Sequence, residues 1–183
     1  MNPVEACKAW VEQVVIGQNF CPFAKKEFDQ QRIHFQLCDE SGTDKALQCL
    51  IDECQRLDQD PNIETTLIIF SSLLQDFDEF WGFTEMAEQL MQLQSYDGIY
   101  QLASFHPEYC FDGEDKNDAA NYTNRSPLPM LHLIREQSMQ QALASYPDPA
   151  SIPDNNIVKA RQLGTAYFSA QLAACKKAGK ENE

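Results

Sequence analysis

The chain has 183 residues, of which 43% are hydrophobic and 23% are charged, and 28 acidic against 14 basic residues give a formal net charge of −14. This composition is typical of a soluble globular protein, and we predict a single domain over residues 1–183 with a frayed tail over residues 177–183. A strongly negative chain repels phosphate and anionic lipid, so we expect neither nucleic acid nor a membrane as a partner.

Three further features of the sequence narrow the class of protein. The longest dense apolar run, residues 67–70, is too short to cross a membrane, and the opening MNPVEACKAW does not read as a signal peptide. The seven cysteines include no CxxC pair, so we predict reduced thiols and a cytoplasmic location. The seven glycines lie too far apart for a glycine-rich loop, which excludes the usual dinucleotide and nucleoside triphosphate sites.

The first part of the chain predicts two helices and a strand. Apolar residues at helical spacing predict a helix over about residues 3–17. Cys21-Pro22 predicts the start of a short helix that reaches about residue 30, because proline favours the first helical position. Apolar and polar residues then alternate in RIHFQLC, residues 32–38, which is typical of a half-exposed strand.

The middle of the chain continues to alternate helices with strands. Thr43 can cap a helix that ends before Pro61, and the continuous apolar run at residues 65–70 predicts a strand covered on both faces. An aromatic-rich helix follows over about residues 76–94, and residues 98–104 predict a third strand.

The remainder of the chain begins with a long irregular stretch and ends in helices. This stretch, residues 105–136, holds two of the three histidines. Within it, Leu128, Leu131 and Ile134 recur at every third position, which predicts that a helix begins there. A last helix is predicted over about residues 155–176.

This order of elements predicts an α/β protein with a small, mostly parallel three-stranded sheet. Helical crossovers would join the strands, with an N-terminal helix before them and two C-terminal helices after them. The most apolar strand, residues 65–70, would lie in the middle, between strands 32–38 and 98–104.

The 105–136 segment is the predicted location of function, because so long an irregular stretch is usually either disordered or functional. It starts at the carboxyl end of the third predicted strand, where the ligands of parallel sheets gather. The short helix that begins at Cys21 leads into the first strand, so its start would return to the same edge of the sheet. We therefore predict one site that joins Cys21 to this segment.

Cys21, His106 and His132 are the candidate catalytic residues. A thiol at a helix N-terminus is stabilised as a thiolate, although a small buried cysteine that only packs fits the same pattern. His106 precedes Pro107, which holds it extended, and a structural loop histidine fits equally well. Because imidazole titrates near neutrality, either histidine suits general acid–base catalysis.

The candidate substrate-binding residues are polar or charged and lie in the same segment: Asn121, Asn124, Arg125, Ser126, Arg135 and Glu136. A guanidinium at Arg125, beside a helix that Ser126 can cap, predicts a seat for carboxylate or phosphate. The alternative is an arginine that binds carbonyl groups of its own loop. His132, Arg135 and Glu136 would share one face of the predicted helix.

Four stretches carry a resemblance to a known family: NFCPFAKKE, ETTLIIF, LASFHPEYCF and NYTNRSPLPMLHLIRE. They resemble the family named domain of unknown function 1415 (DUF1415), over nearly the whole chain. The resemblance implies a small cytosolic bacterial protein and no particular activity. The residues that match its motifs are Cys21, Pro22, Phe23, His106, Pro107, Tyr109, Phe111, Asn121, Tyr122, Asn124, Arg125, Ser126, His132, Arg135 and Glu136.

The leading hypothesis is a cytosolic enzyme that acts on a small anionic or polar metabolite. The amides and the guanidinium of the 105–136 segment would bind this small molecule, a histidine would transfer a proton, and Cys21 would act as a nucleophile or redox thiol. The sequence leaves the cofactor and the oligomeric state open.

Two other functions fit the same residues. One is a zinc-type metal site formed by Cys21, His106 and His132, with an open coordination position. The other is a non-catalytic module in which the 105–136 segment docks a partner protein through exposed aromatic anchors. Those anchors would be Tyr109, Phe111 and Tyr122.

Overall fold

The computed structural model describes residues 2–39 and 41–181, in which helices alternate with strands along much of the chain. The helices are α1 (Pro3–Trp10), which continues as a π-helical segment (Val11–Ile16), α2 (Ala24–Asp29), α3 (Thr43–Gln59), α4 (Phe77–Leu93), α5 (Glu136–Ala144), α6 (Ile152–Leu163) and α7 (Thr165–Glu181). The strands are β1 (Ile33–Cys38), β2 (Thr65–Phe70), β3 (Tyr100–Phe105) and β4 (Met130–Arg135). Short 3₁₀ helices occupy Ala119–Thr123 and Pro149–Ser151.

Side-chain caps explain where two of the helices begin. The carboxamide of Asn2 accepts hydrogen bonds from the first turn of α1, and the carboxylate of Asp76 does the same for α4. Each cap satisfies N–H groups that have no partner inside the helix. The predicted cap of α3 is wrong, because Thr43 lies inside that helix and Gly42 precedes it without a side-chain hydrogen bond.

The four strands form one sheet in the order β1-β2-β4-β3. β2 pairs with β1 in parallel and with β4 in antiparallel orientation, and β3 pairs antiparallel with β4. The predicted α/β class is confirmed. The prediction of a three-stranded, mostly parallel sheet is wrong, because β4 lies between β2 and β3 and makes the sheet mixed.

β4 occupies residues for which the sequence predicted a helix. Its residues alternate between the two faces of the sheet, with Met130, His132 and Ile134 on one face and Leu131, Leu133 and Arg135 on the other. Apolar residues at every third position are compatible with a helix and with a strand. Residues 130–135 form a strand because they pair with a neighbouring strand on each side. His132, Arg135 and Glu136 therefore do not share a helical face.

One face of the sheet, the α3–α4 face, is closed by two helices. The strand residues Ile68, Phe70, Leu131 and Leu133 are each 0% exposed there, and they belong to one apolar cluster with residues of α3 and α4. The helix residues in this cluster include Leu50, Cys54, Phe80 and Phe83. This cluster is one of the two hydrophobic cores of the described residues.

The opposite face, the α1–α7 face, is covered less evenly. Trp10 and Phe168 belong to the apolar cluster that contains Ile69 and Met130. Nearer the amino ends of β1 and β2, α2 and α5 stand over the sheet, and neither helix has a buried residue. Because these two helices do not fill the space above the strands, a cavity remains.

The single last helix predicted over about residues 155–176 is wrong, because the chain breaks at Gly164 into α6 and α7, and α7 ends beyond residue 176. α7 continues to Glu181, and the backbone N–H of Asn2 donates a hydrogen bond to the carbonyl of Gly179 at 2.5 Å. Of the predicted frayed tail over residues 177–183, residues 177–181 are thus helical and residues 182–183 lie outside the described range, so the fraying itself stays a prediction.

The structure tests in part the predictions on membrane-spanning segments and on the cysteines. Among the helices of the described residues, none has both the length and the apolar character to cross a bilayer. All seven cysteines lie in the described range and none is in a disulfide. Their reduced state in the cell stays a prediction.

Candidate functional site

A cavity of about 570 Å³, the sheet-face cavity, lies on the α1–α7 face near the amino ends of β1 and β2. All four strands contribute to its floor, with Ile33, Thr65, Leu67, Ala103, Phe105, His132 and Ile134. Its walls come mainly from the N-terminal helix, the turn before α2, and α5, and include Trp10, Val15, Cys21, Phe23, Ser138 and Met139. The volume lies within the range of about 300–1,000 Å³ that is usual for small-molecule sites.

His132 is the ionisable group in the floor of the sheet-face cavity. Its Nε2 lies 2.6 Å from Oγ1 of Thr65, and the same hydroxyl donates a hydrogen bond to the carbonyl of Leu133. A hydroxyl has one hydrogen to donate, so Nε2 of His132 must carry the proton that it shares with Thr65. Nδ1 is then an unprotonated acceptor, and it has no hydrogen-bond partner among residues 2–39 and 41–181.

Burial keeps the imidazole of His132 neutral. Loss of solvation lowers its pKa to about 4, so the ring carries no charge at pH 7. A neutral ring whose Nε2–H is held by Thr65 leaves Nδ1 to accept a hydrogen bond from an O–H or N–H group of a bound molecule.

Cys21 lines the same cavity, from the turn before α2. Burial raises the pKa of its thiol, and the backbone N–H groups of Phe23 and Ala24 oppose this shift with a smaller effect. The thiolate stabilisation predicted from the helix start is therefore the weaker influence, and α2 begins at Ala24 rather than at Cys21. Within the described part of the chain, no hydrogen bond joins Cys21 to His132.

Four charged side chains border the cavity at the amino ends of β1 and β2. Arg32 forms ion pairs with Glu27 at 3.1 Å and with Glu64 at 2.7 Å, and Lys26 lies 3.1 Å from Glu27. Two cations thus face two carboxylates. This border offers an anionic ligand no excess of positive charge.

His106 does not line the sheet-face cavity and is 0% exposed. Its Nδ1 accepts a hydrogen bond from the N–H of Glu108 at 3.0 Å, and its Nε2 donates to the carbonyl of Leu74 at 3.1 Å. The ring packs against Phe77 and Phe80, with centroid distances of 5.3 and 5.1 Å. Burial lowers its pKa. Because the protein itself engages both ring nitrogens, His106 is placed as a structural residue.

Arg125 binds its own loop. Its Nε donates to the carbonyl of Tyr109 at 2.9 Å, and Nη2 donates to the carbonyl of Lys116 at 2.7 Å. The guanidinium lies 4.8 Å from the ring centre of Tyr122, and the carbonyl of Arg125 accepts a hydrogen bond from Nε1 of Trp10 at 3.0 Å. These contacts match the alternative that the sequence left open, and β4 rather than a helix follows Ser126.

Asn121, Asn124 and Ser126 also bind backbone groups. Asn121 is 0% exposed, and its side chain joins the N–H of Phe111 at 3.0 Å to the carbonyl of Asp115 at 2.9 Å. The amide of Asn124 donates to a carbonyl of β3 at 3.3 Å, and Ser126 donates to a carbonyl two residues ahead at 2.6 Å. None of these three side chains lines the sheet-face cavity.

Arg135 and Glu136 lie outside the cavity as well. Arg135 points to the α3–α4 face, where Nη2 donates to the carbonyls of Leu57 at 2.5 Å and Ile63 at 3.0 Å. It thereby satisfies backbone oxygens at and beyond the end of α3. Glu136 opens α5, and its N–H donates to the carbonyl of Ile99 at 3.0 Å.

The structure bears on the residues of both alternative functions. Within the part of the chain that the structure describes, no group of three or more His, Cys, Asp or Glu residues could hold a metal ion. Cys21, His106 and His132 do not form the predicted zinc-type site. Of the three predicted aromatic anchors, Tyr109 and Tyr122 are each 8% exposed, and Phe111 is partly exposed.

Of the nine predicted site residues, the structure brings Cys21 and His132 together in one cavity. The sequence interpretation missed Thr65, Trp10 and Phe105. Thr65 could have been noticed as a polar residue that opens an otherwise apolar strand. Trp10 and Phe105 carry no local signal, because a gap between helices and a sheet depends on how the helices pack.

The sequence was compared with models of protein families, and one family model matches most of the chain. The profile described as Protein of unknown function (DUF1415) matches residues 2–170, a range that contains every residue lining the cavity. The chain belongs to the DUF1415 family. For this DUF1415 protein, neither the curated proteins nor the solved structures that were compared give a significant match.

Proposed function

We propose that this DUF1415 protein binds a small molecule in the sheet-face cavity. The observation that carries the proposal is the neutral imidazole of His132, whose Nδ1 has no partner within the described residues and whose surroundings are mostly apolar. An apolar pocket with a few converging polar groups is the usual form of a small-molecule site.

The charges and walls of the cavity support a particular class of ligand. Trp10, Phe105 and Met139 would bury an aromatic or aliphatic body, and His132 would accept a hydrogen bond from its O–H or N–H group. An anionic ligand would have to disrupt the ion pairs of Arg32 or of Lys26 to find a cation. Of the anionic or polar metabolites expected from the sequence, we therefore favour a neutral polar molecule.

A thiol-dependent enzyme is the second candidate function, because Cys21 lines the same cavity as His132. The thiol of Cys21 would add to a carbonyl carbon of the bound molecule, the C=O π bond would break to leave the electron pair on the oxygen, and Nδ1 of His132 would accept the thiol proton. The raised pKa of Cys21 and the low pKa of His132 both oppose this proton transfer. Binding without chemistry is therefore the leading function.

A ligand screen tests the proposal. Trp10 is 1% exposed and lines the cavity, whereas Trp81, the second of the two tryptophans, is 46% exposed. In the Trp81→Phe variant, a change in tryptophan fluorescence reports on Trp10 alone. We expect neutral alcohols and amides with aromatic or aliphatic bodies to change this fluorescence and to raise the melting temperature, and carboxylates of the same shape to do neither.

A matched pair of variants shows whether the cavity is the binding site. Ala103→Leu adds volume to its floor, and Ala144→Leu makes the same change at an exposed position of α5 outside the lining. We expect Ala103→Leu to weaken binding at least tenfold and Ala144→Leu to leave it unchanged. Equal affinities in both folded variants would place the ligand elsewhere and overturn the proposal.

Cys21→Ser distinguishes the two candidate functions. A binding protein should retain its affinity in this variant, because the hydroxyl occupies nearly the same space as the thiol. A thiol-dependent enzyme should lose turnover of the same ligand and its covalent adduct, which intact mass spectrometry detects. Retained turnover in Cys21→Ser would remove the enzyme hypothesis.

The cytoplasm is the compartment that we propose for this protein, in a bacterial cell. Seven cysteines with no CxxC pair support a reducing compartment. A net charge of −14 supports a protein that stays away from nucleic acid and anionic membranes.

A further inference from the structure

The hydroxyl of Thr65 links the imidazole of His132 to the backbone of β4. Its Oγ1 lies 2.6 Å from Nε2 of His132, and it donates a hydrogen bond to the carbonyl of Leu133. Thr65 is buried, and the ring of Phe105 lies 6.2 Å from that of His132. Among residues 2–39 and 41–181, Thr65 is thus the hydrogen-bond partner that holds the His132 ring in place.

From this geometry we propose that Thr65 is a positioning residue that sets the hydrogen-bond selectivity of the sheet-face cavity. By keeping the proton of His132 on Nε2, Thr65 makes the cavity select molecules with an O–H or N–H donor over molecules of the same shape that only accept hydrogen bonds. The inference rests on the binding function proposed above, and it adds the residue that determines which ligands that function admits.

The opposite tautomer of His132 conflicts with these contacts. A neutral imidazole carries its hydrogen on one ring nitrogen and accepts with the other. With the hydrogen on Nδ1, the bare Nε2 would face the oxygen of Thr65 at 2.6 Å, although the hydrogen of that hydroxyl is already donated to Leu133. Rotation of the hydroxyl towards Nε2 would take this hydrogen bond away from the carbonyl of Leu133, which is costly at a buried position.

The fixed tautomer decides what a bound molecule gains from His132. A ligand with an O–H or N–H group donates to Nδ1 and replaces the hydrogen bond that it made with water. A ligand that only accepts hydrogen bonds would bring its own lone pairs towards the lone pair of Nδ1. It would lose its bond to water and gain none, so it binds less tightly.

Thr66 offers a matched control one residue along the same strand. Successive side chains of a strand point to opposite faces, and Thr66 is absent from the cavity lining that contains Thr65. Thr66 is 0% exposed, and within the described range its hydroxyl has no hydrogen-bond partner. Thr66→Val therefore makes the same chemical change in β2 as Thr65→Val and leaves the bond to His132 intact.

The first experiment reads the tautomer of His132 directly. In the full-length protein labelled with ¹⁵N at its histidines, the ring-nitrogen chemical shifts at pH 7 distinguish a protonated from an unprotonated nitrogen, and the spectrum of His132→Gln assigns the signals. We expect the parent protein and Thr66→Val to carry the proton on Nε2, and Thr65→Val to show a mixture of both tautomers. Thr65→Ser keeps the hydroxyl, so it should match the parent.

The second experiment measures selectivity with two probes of nearly the same shape. Cyclohexanol carries an O–H donor, whereas cyclohexanone carries only an acceptor. We expect the parent protein to bind cyclohexanol about fivefold more tightly, which corresponds to one hydrogen bond. In Thr65→Val this preference should fall below about twofold, and Thr65→Ser and Thr66→Val should keep it. Titrations in the Trp81→Phe background follow the fluorescence of Trp10.

Two results would overturn the inference. One is a folded Thr65→Val variant, with a melting transition like that of the parent, whose His132 still carries its proton on Nε2 alone. The other is an equal change of tautomer in Thr66→Val, which would show that any loss of a hydroxyl from β2 disturbs His132. The tautomer measurement needs no ligand. Failure of both probes to bind, with the expected tautomers present, would therefore count against the binding function and not against the control of His132 by Thr65.

Discussion

The 105–136 segment and the sheet-face cavity use their polar residues in opposite ways. In the segment, Asn121, Arg125 and Ser126 all bind backbone groups of the protein itself. In the cavity, polar side chains are fewer and stand among apolar ones, and Nδ1 of His132 keeps its capacity to accept a hydrogen bond. The comparison separates polar residues that complete the fold from polar residues that remain available to a ligand.

The physical reason lies in the backbone. An irregular segment has many N–H and C=O groups that no helix or sheet satisfies, and burying them unpaired is costly. Short amides, hydroxyls and a guanidinium supply the missing partners. A dense polar sequence is therefore as much a sign of backbone hydrogen bonding as of function.

Among the variants that test this difference between the segment and the cavity, His106→Ala should have the largest effect on stability. The substitution removes a buried ring from between Phe77 and Phe80 and leaves the carbonyl of Leu74 without its donor. We expect the free energy of unfolding to fall by about 3–4 kcal/mol, as measured by denaturant titration. Glu108→Ala, at an exposed neighbour, should change it by less than about 0.5 kcal/mol. A small loss in His106→Ala would contradict the structural role.

The next effect concerns pH and His132. Its pKa in the folded protein, about 4, lies below the ordinary value of 6.5, so folding favours the neutral form. This contribution to stability is complete above pH 6.5 and is lost as the pH falls towards 4. As the pH falls from 6.5 to 4, we expect the free energy of unfolding of the parent protein to fall by roughly 2–3 kcal/mol more than that of His132→Gln, as measured by denaturant titration. Parallel stability curves for the two proteins would contradict the low pKa.

Asn121→Ala should have an intermediate effect. The substitution leaves the N–H of Phe111 and the carbonyl of Asp115 without their buried partner. We expect a loss of about 2 kcal/mol in the free energy of unfolding, with unchanged affinity for any ligand of the cavity. Asn117→Ala is the matched control, because that residue is exposed. Weaker ligand binding by a folded Asn121→Ala variant would show that the 105–136 segment takes part in ligand binding.

The smallest effect is expected at the border of the cavity. Arg32→Gln removes two ion pairs of a side chain that is 29% exposed, so we expect a loss of about 1 kcal/mol or less that shrinks further at high salt. Affinity for a neutral ligand should stay within about twofold. A large loss of affinity would show that the guanidinium binds the ligand, and the ligand would then be anionic.

Local pattern was sufficient for much of the fold. The alternation in RIHFQLC, the apolar run in TTLIIF and the aromatic-rich stretch over residues 76–94 predicted β1, β2 and α4 within one or two residues of their bounds. These signals act between neighbours in the chain, through side-chain alternation and helical periodicity, so no distant contact is needed to read them. The α/β class and the identity of the central apolar strand followed from them.

Packing between distant segments decided the rest. Residues 130–135 became a strand only because β2 and β3 bond them on both sides, and this pairing turned His132 towards the α1–α7 face and Arg135 towards α3. The sheet-face cavity exists because α2 and α5 leave part of that face unfilled. A cavity forms where packed surfaces do not fit each other completely. Its position depends on contacts between distant segments, so the local sequence of its lining residues does not predict it.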